Sequence, residues 1–508
     1  MKTLKCVFLL LLGFGVAVNA QKAPIKWGKL LPKDTSMTVY SSDSKASAVV
    51  LCDFGTADIG PRTEYTRHVR IKILKAEGLK YAYIEIPYKD YDHYDEFSGL
   101  KAQTINVAPN GKFIKSKVRS RDMHDISVDK WDKKRVFQFP DVKVGSVIEY
   151  SYTLRSLDLV KLRDWYFQST IPVIWSEYRV YVSSRFNYLV TFQKGRPLDF
   201  DEQKGFADRL QWLYNTRIKK VQRELMGKKY VLYESPKGTI KVYFAQGESY
   251  TFIMNDIPAF EPQKGVFAFN DYYPAVKVHL YLADGNYPFY YRRILATARE
   301  DYDWQNSRQS YYNSFIGYVA YWLPTWEEAT KRWLDSEMFG KRLIKAVDFK
   351  PVLDKINPDA SEMDKVKGVY QYVRDNIQWD GTYSMYADQD LNTVMKKKIG
   401  TSGEINLLLI DLLRHAGINA NPVLLRTKDI GRPENVYPVF GQFNHVIALV
   451  ESYGQSLYLD ASGKNSSFTN LDWNVDNALG FLVVKDNYKW VDVVESQKKA
   501  AAVVTKEL

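Results

Sequence analysis

Ser402, His445 and Asp460 are the side chains of this 508-residue sequence whose types and spacing could together do chemistry. A hydroxyl beside an imidazole that a carboxylate orients can lose its proton while attacking an acyl carbon. Ser402 lies in Gly400-Thr401-Ser402-Gly403-Glu404. There Thr401 and Glu404 form a T-x-x-E capping box, which puts Ser402 in the first turn of a helix. That turn is the positive end of the helix dipole. Ile405, Leu408, Leu409, Leu412 and Leu413 follow as one apolar stripe, and Gly417 suits a left-handed stop.

The elements that must position the other two groups are also readable. Phe443 to Leu449 and Ser456 to Asp460 read as the strands of a hairpin, with Gly454 in the connection. A turn centred between Ser452 and Tyr453 places His445 directly opposite Asp460. Moving the centre by one full residue makes them diagonal neighbours on the same face. Moving it by half a residue puts them on opposite faces. A preceding helix begins at Ser361, with Asp364 as a capping-box variant, and buries Val366, Val369, Tyr370, Val373 and Ile377. Each of the three groups also has a purely structural role open to it. Ser402 could satisfy helix-terminus amides, His445 could be a partnered histidine on a half-buried strand, and Asp460 could cap the turn into Ala461-Ser462-Gly463.

Residues 1–20 read as a secretory signal peptide: Lys2 and Lys5, the apolar run Val7 to Leu12, then Val18-Asn19-Ala20 before Gln21. The protein is therefore expected in the periplasm or secreted. Residues 21–59 form an N-terminal segment. From 60 to 285 the pattern is β: Val69, Ile71 and Ile73 alternate with Arg70 and Lys72, and Asn110-Gly111 marks a hairpin. From 286 to 345 helical stretches carry Trp326, Trp333 and Phe339, which read as interdomain packing. A mixed region at 346–485 holds the two helices and the hairpin, and 486–508 is a C-terminal segment.

The run Gly400 to Glu404, followed by Leu412-Leu413-Arg414-His415-Ala416-Gly417-Ile418, resembles the nucleophile helix of the transglutaminase-like superfamily. His445 and Asp460 match that family's other two triad positions. Phe139 to Tyr150 and Ile171-Pro172-Val173 resemble the uncharacterised β-domain that precedes such domains in exported proteins of Bacteroides-type bacteria. The resemblance implies an α+β chain: an antiparallel β-sandwich region followed by a papain-like α+β domain. It also implies a departure, since the family's nucleophile is Cys and Ser402 stands in its place. A thiolate forms near neutral pH at a helix N-terminus beside an imidazolium, whereas a hydroxyl needs a base during attack.

Three functions follow. The first is a non-catalytic protein binding a peptide, glycan or protein partner. The second is a serine-dependent amide hydrolase, peptidase or acyltransferase using Ser402, His445 and Asp460. The third is a structural scaffold. Net charge is +12, but basic residues are dispersed, so nucleic acid is not an expected partner. Outside the first twenty residues the one cysteine is Cys52, in the apolar run Val49-Val50-Leu51-Cys52, which reads as core packing. The six histidines show no metal-ligand spacing, and no phosphate-binding glycine loop is present, so neither metal nor cofactor is expected. No stretch after residue 20 is apolar enough to span a membrane.

Overall fold

The computed structural model describes residues 23–182 except 60, 61, 92 and 159–161; segments 188–193, 219–221, 233–234, 239–243, 249–261 and 269–280; and residues 326–493 except 346, 348, 355, 434, 436, 437, 440, 453, 454, 464 and 476–478. The expected signal peptide, and residues 286–325 of the expected helical stretch, lie outside these residues.

The N-terminal part is β-rich. Its largest sheet has eight strands, and its central members are Ala48–Ile59, Thr63–Ile73 and Val147–Ser156. A five-stranded and a three-stranded sheet accompany it. Ala57, Val69, Ile148 and Leu154 of the large sheet share one buried cluster with Phe137 of the small sheet and Val276 and Val278 of the five-stranded one. Apolar residues at every second position create that face, because successive side chains in a strand point to opposite sides. Pairing in these three sheets is antiparallel, as expected, with one exception: Ala48–Ile59 runs parallel to Val173–Val182.

The opposite face of the large sheet joins a small apolar cluster, with Val49, Leu51, Ile105 and Val147, to buried charge. Glu149 has no exposure and lies under the N-terminal segment. It accepts from Arg70 Nη2 at 2.6 Å, Gln103 Nε2 at 2.7 Å and the Gly28 amide at 2.8 Å. Arg70 Nη2 also donates to the Lys26 carbonyl at 2.9 Å. A carboxylate without water is tolerated only when so paired.

The C-terminal part is α+β. A five-stranded sheet, in the order Gln455–Leu459, His445–Ser452, Ala420–Leu425, Leu479–Leu482, Lys489–Asp492, packs on the helix Ser402–His415. Helices Glu362–Asn376 and Leu391–Lys397 flank that helix. Every residue from Ser402 to Leu413 is buried, so this helix is the centre of the domain. Trp326, Trp333 and Phe339 depart from the interdomain role expected of them: they pack into this core, with the Trp326 ring centre 4.8 Å from that of Phe481 and the Trp333 ring edge-on to Phe443 at 5.7 Å. The sheet continues through Asp492, past the expected limit near 485. The two parts touch where the Arg432 amide donates to Asp271 Oδ1 at 2.9 Å and where Lys130 Nζ lies 3.6 Å from Asp388 Oδ2. Among the described residues no helix is long and apolar enough to cross a membrane.

Burial opposes ionisation of Glu149, but hydrogen bonds from His68, Arg70 and Gln103 prevail and bring its pKa from 4.5 down to about 2. A folded value below the unfolded one means the stabilisation is present above pH 4.5 and is lost as pH falls toward 2. Acid titration of chemical unfolding should therefore show a shallower loss of stability in Glu149→Gln than in wild type across that window. Parallel curves would contradict this role for Glu149.

Candidate active site

The helix carrying Ser402 begins as its capping box requires. Thr401 Oγ1 accepts from the Glu404 amide at 3.3 Å, and Glu404 Oε2 accepts from the Thr401 amide at 2.9 Å. Capping is therefore the work of Thr401 and Glu404, and the Ser402 hydroxyl is directed elsewhere. Ser402 Oγ lies 2.9 Å from His445 Nδ1. On the far side of the ring, His445 Nε2 lies 3.1 Å from Asp460 Oδ2. All three residues have no solvent exposure.

Register explains how the histidine and aspartate meet. Ser452 pairs with Gln455 and Ala448 with Leu459, so the turn is centred one residue further along than direct pairing would need. His445 and Asp460 are consequently diagonal neighbours on one face, the second of the arrangements expected. Asp460 sits just beyond the end of its strand, which frees its carboxylate to accept from several sides.

Asp460 Oδ1 accepts from Ser462 Oγ at 2.6 Å, Asn406 Nδ2 at 2.8 Å and the Ser462 amide at 2.9 Å. Burial pushes this carboxyl up, but the adjacent His445 ring and the donors Ser462 and Asn406 outweigh that and bring it to about 2. It is ionised at neutral pH and can only accept. In a neutral imidazole, Nε2 must then carry the proton and Nδ1 the lone pair, which faces the Ser402 hydroxyl. That polarity suits proton removal from Ser402. Asp460 thus both caps the turn through Oδ1 and orients the ring through Oδ2.

A covering segment, residues 380–388, closes the site. Ser402 Oγ accepts from the Ser384 amide at 3.0 Å and is placed to donate to the Ser384 carbonyl at 3.2 Å, which competes with His445 Nδ1 for the hydroxyl hydrogen. The Ser402 amide donates to the Thr382 carbonyl at 3.0 Å. Tyr383 stands edge-on to His445, ring centres 5.3 Å apart. Burial pushes the Tyr383 hydroxyl up to about 12, so it stays protonated. Gly403 permits this closeness: a Cβ there would lie 2.5 Å from the Tyr386 carbonyl and 2.6 Å from that of Ser384. The Gln389 amide, donating to Glu404 Oε1 at 2.8 Å, ties the segment to the same capping box.

Residues 350–493 match the transglutaminase-like superfamily, and residues 61–216 match DUF3857, a domain of unknown function. The chain carries a transglutaminase-like domain behind a DUF3857 domain. No curated protein matches the chain. The crystal structure of a suspected protease from Parabacteroides distasonis is similar at 13% identity, with TM-score 0.54, over 88% of this chain and 72% of that one. A suspected cysteine protease from Cytophaga hutchinsonii matches at 12% identity over 59% of this chain and 79% of its own, with TM-score 0.19. The likeness to the P. distasonis structure concerns fold.

Of the polar groups around the transglutaminase-like triad positions, Asn406 and the segment 380–388 lie outside the sequence reading, whereas Ser462 belongs to the turn that Asp460 is expected to cap. Asn406 did carry a signal: it is a polar residue inside an apolar helix, one turn after Ser402 and on the same face. Cys52 is buried in the β-rich part, and burial pushes its thiol well up, which makes it a poor nucleophile. Among the described residues no group of His, Cys, Asp and Glu is arranged to hold a metal.

Replacing Gly403 by Ala should force segment 380–388 off the helix and destabilise the domain by about 1–3 kcal/mol. Guanidinium denaturation and faster proteolytic cleavage within 380–388 are the readouts. Wild-type stability and protection would contradict the seating described.

Proposed function

We propose that the transglutaminase-like domain is a serine-dependent acyl-transfer site acting on peptide or isopeptide amides, held closed in this conformation by residues 380–388. The observation that carries the reading is the 2.9 Å hydrogen bond between Ser402 Oγ and His445 Nδ1, with Asp460 Oδ2 3.1 Å from Nε2 on the far side of the ring. In the proposed reaction Ser402 Oγ bonds to the carbonyl carbon while its proton passes to His445 Nδ1. Collapse of the tetrahedral adduct breaks the C–N bond, and His445 returns the proton to the leaving amine. Water then hydrolyses the ester by the same route in reverse.

Two arguments favour this reading over the non-catalytic one that the serine alone suggests. The structural role open to Ser402, helix capping, is filled by Thr401. A hydroxyl nucleophile, unlike a thiolate, needs a neutral ring with its lone pair toward Oγ, and an acceptor-only Asp460 favours that tautomer. The suspected-protease description of the P. distasonis relative agrees with an amide substrate.

A second reading is an inherited, inactive site in a binding or scaffold protein. It is supported by the Ser402 amide, a natural oxyanion donor, being engaged by the Thr382 carbonyl. In either case the signal-peptide pattern of residues 1–20 supports export, and the partner would be met outside the cytoplasm.

A fluorophosphonate probe should label the mature protein once, at Ser402. Labelling should vanish in Ser402→Ala and slow by about 10²- to 10⁴-fold in His445→Ala. Wild type left unlabelled while Ser402→Cys is readily alkylated by iodoacetamide would show an accessible but unactivated serine, and the inactive reading would stand.

A further inference from the structure

Asn406 is buried with no exposure, one helical turn beyond Ser402. Both hydrogens of its amide are used: Nδ2 donates to the Val446 carbonyl at 2.9 Å and to Asp460 Oδ1 at 2.8 Å. Its Oδ1 accepts from the Ala461 amide at 2.9 Å. Val446 follows His445 in its strand, and Ala461 follows Asp460. One side chain on the nucleophile helix therefore grips the backbone beside the base, the backbone beside the acid and the acid itself.

We propose that Asn406 is a positioning residue: it sets the distance between the Ser402 helix and the two strands and turns the Asp460 carboxylate so that Oδ2 faces His445. The catalytic meaning of this role rests on the serine-hydrolase reading above, while its structural content does not. Asp460 Oδ1 has two further donors, both from Ser462, on its own loop. Among the described residues, only Asn406 ties that oxygen to the helix that carries Ser402. Without it the carboxylate can turn with its loop, and either ring nitrogen of His445 can carry the proton.

The interaction is also directional. An amide offers two donors and one acceptor in a fixed plane, matching one carbonyl, one carboxylate oxygen and one N–H. Serine or alanine at this position cannot make the three contacts together. An aspartate keeps the shape and the acceptor for Ala461 but removes both donors.

The test uses the full mature chain, with Asn406→Ala and Asn406→Asp beside wild type. Circular dichroism and thermal melting establish that each is folded, and the near-isosteric Asp variant guards against a collapsed Ala variant. The ring nitrogens of His445 are then read by ¹⁵N NMR on protein labelled at histidine, assigned with His445→Gln. Wild type should show the Nε2–H tautomer alone. Each folded variant should show both tautomers, and where wild type reacts with the fluorophosphonate probe, labelling should slow by about 100-fold. A folded variant that keeps the wild-type tautomer overturns the proposal, because a merely structural residue would alter melting and leave the imidazole unchanged. An unreactive wild type counts against the serine-hydrolase reading alone, since the tautomer is read without any reaction.

Discussion

The interaction on which the C-terminal domain depends is the pairing of His445 with Asp460 out of contact with water. An isolated charge in such a place would be prohibitively unfavourable, and a buried polar group without a partner destabilises by about 1–3 kcal/mol. The surrounding structure meets that demand group by group. Oδ1 of Asp460 is surrounded by donors from its own loop and from the central helix, so Oδ2 is left for the imidazole. The ring's other nitrogen meets Ser402. Helix, hairpin and turn are each placed where this chain of contacts requires them.

The same demand accounts for the sealing of the site. A hydroxyl held at a helix N-terminus is surrounded by donors and acceptors, and in this conformation the backbone of residues 382–384 supplies them. Gly403 lets that backbone approach, and Glu404 holds both its own cap and the far end of the covering segment. Asp388 in that segment also meets Lys130 of the β-rich part, so the cover touches both halves of the chain. These contacts seat residues 382–384 against the N-terminus of the central helix.

Local rules made the central helix legible in the sequence. Thr401 and Glu404 act as the capping box they spell, Ser361 accepts from the Asp364 amide as its position implies, and Gly417 has the positive φ of a helix stop. The family resemblance was legible for the same reason, since it sits on that helix. Register was half legible. The hairpin strands could be read from the sequence, but the turn that decides whether His445 and Asp460 lie opposite, diagonal or on different faces has no strong signature around Ser452. Long-range choices were not legible. Nothing in Trp326 or Trp333 says which core they join, the parallel pairing of Ala48–Ile59 with Val173–Val182 follows from the fold as a whole, and Asn406 looked like a flaw in an apolar stripe.

The central claim is that Ser402 is a nucleophile made reactive by His445. It is tested most directly by stopped-flow reaction of the mature protein with an activated ester such as p-nitrophenyl acetate, followed by peptide mapping of acid-quenched samples. The account predicts a burst of about one p-nitrophenol per chain and an acyl group on Ser402. No burst, or acylation spread over surface lysines with Ser402 unmodified, would contradict it.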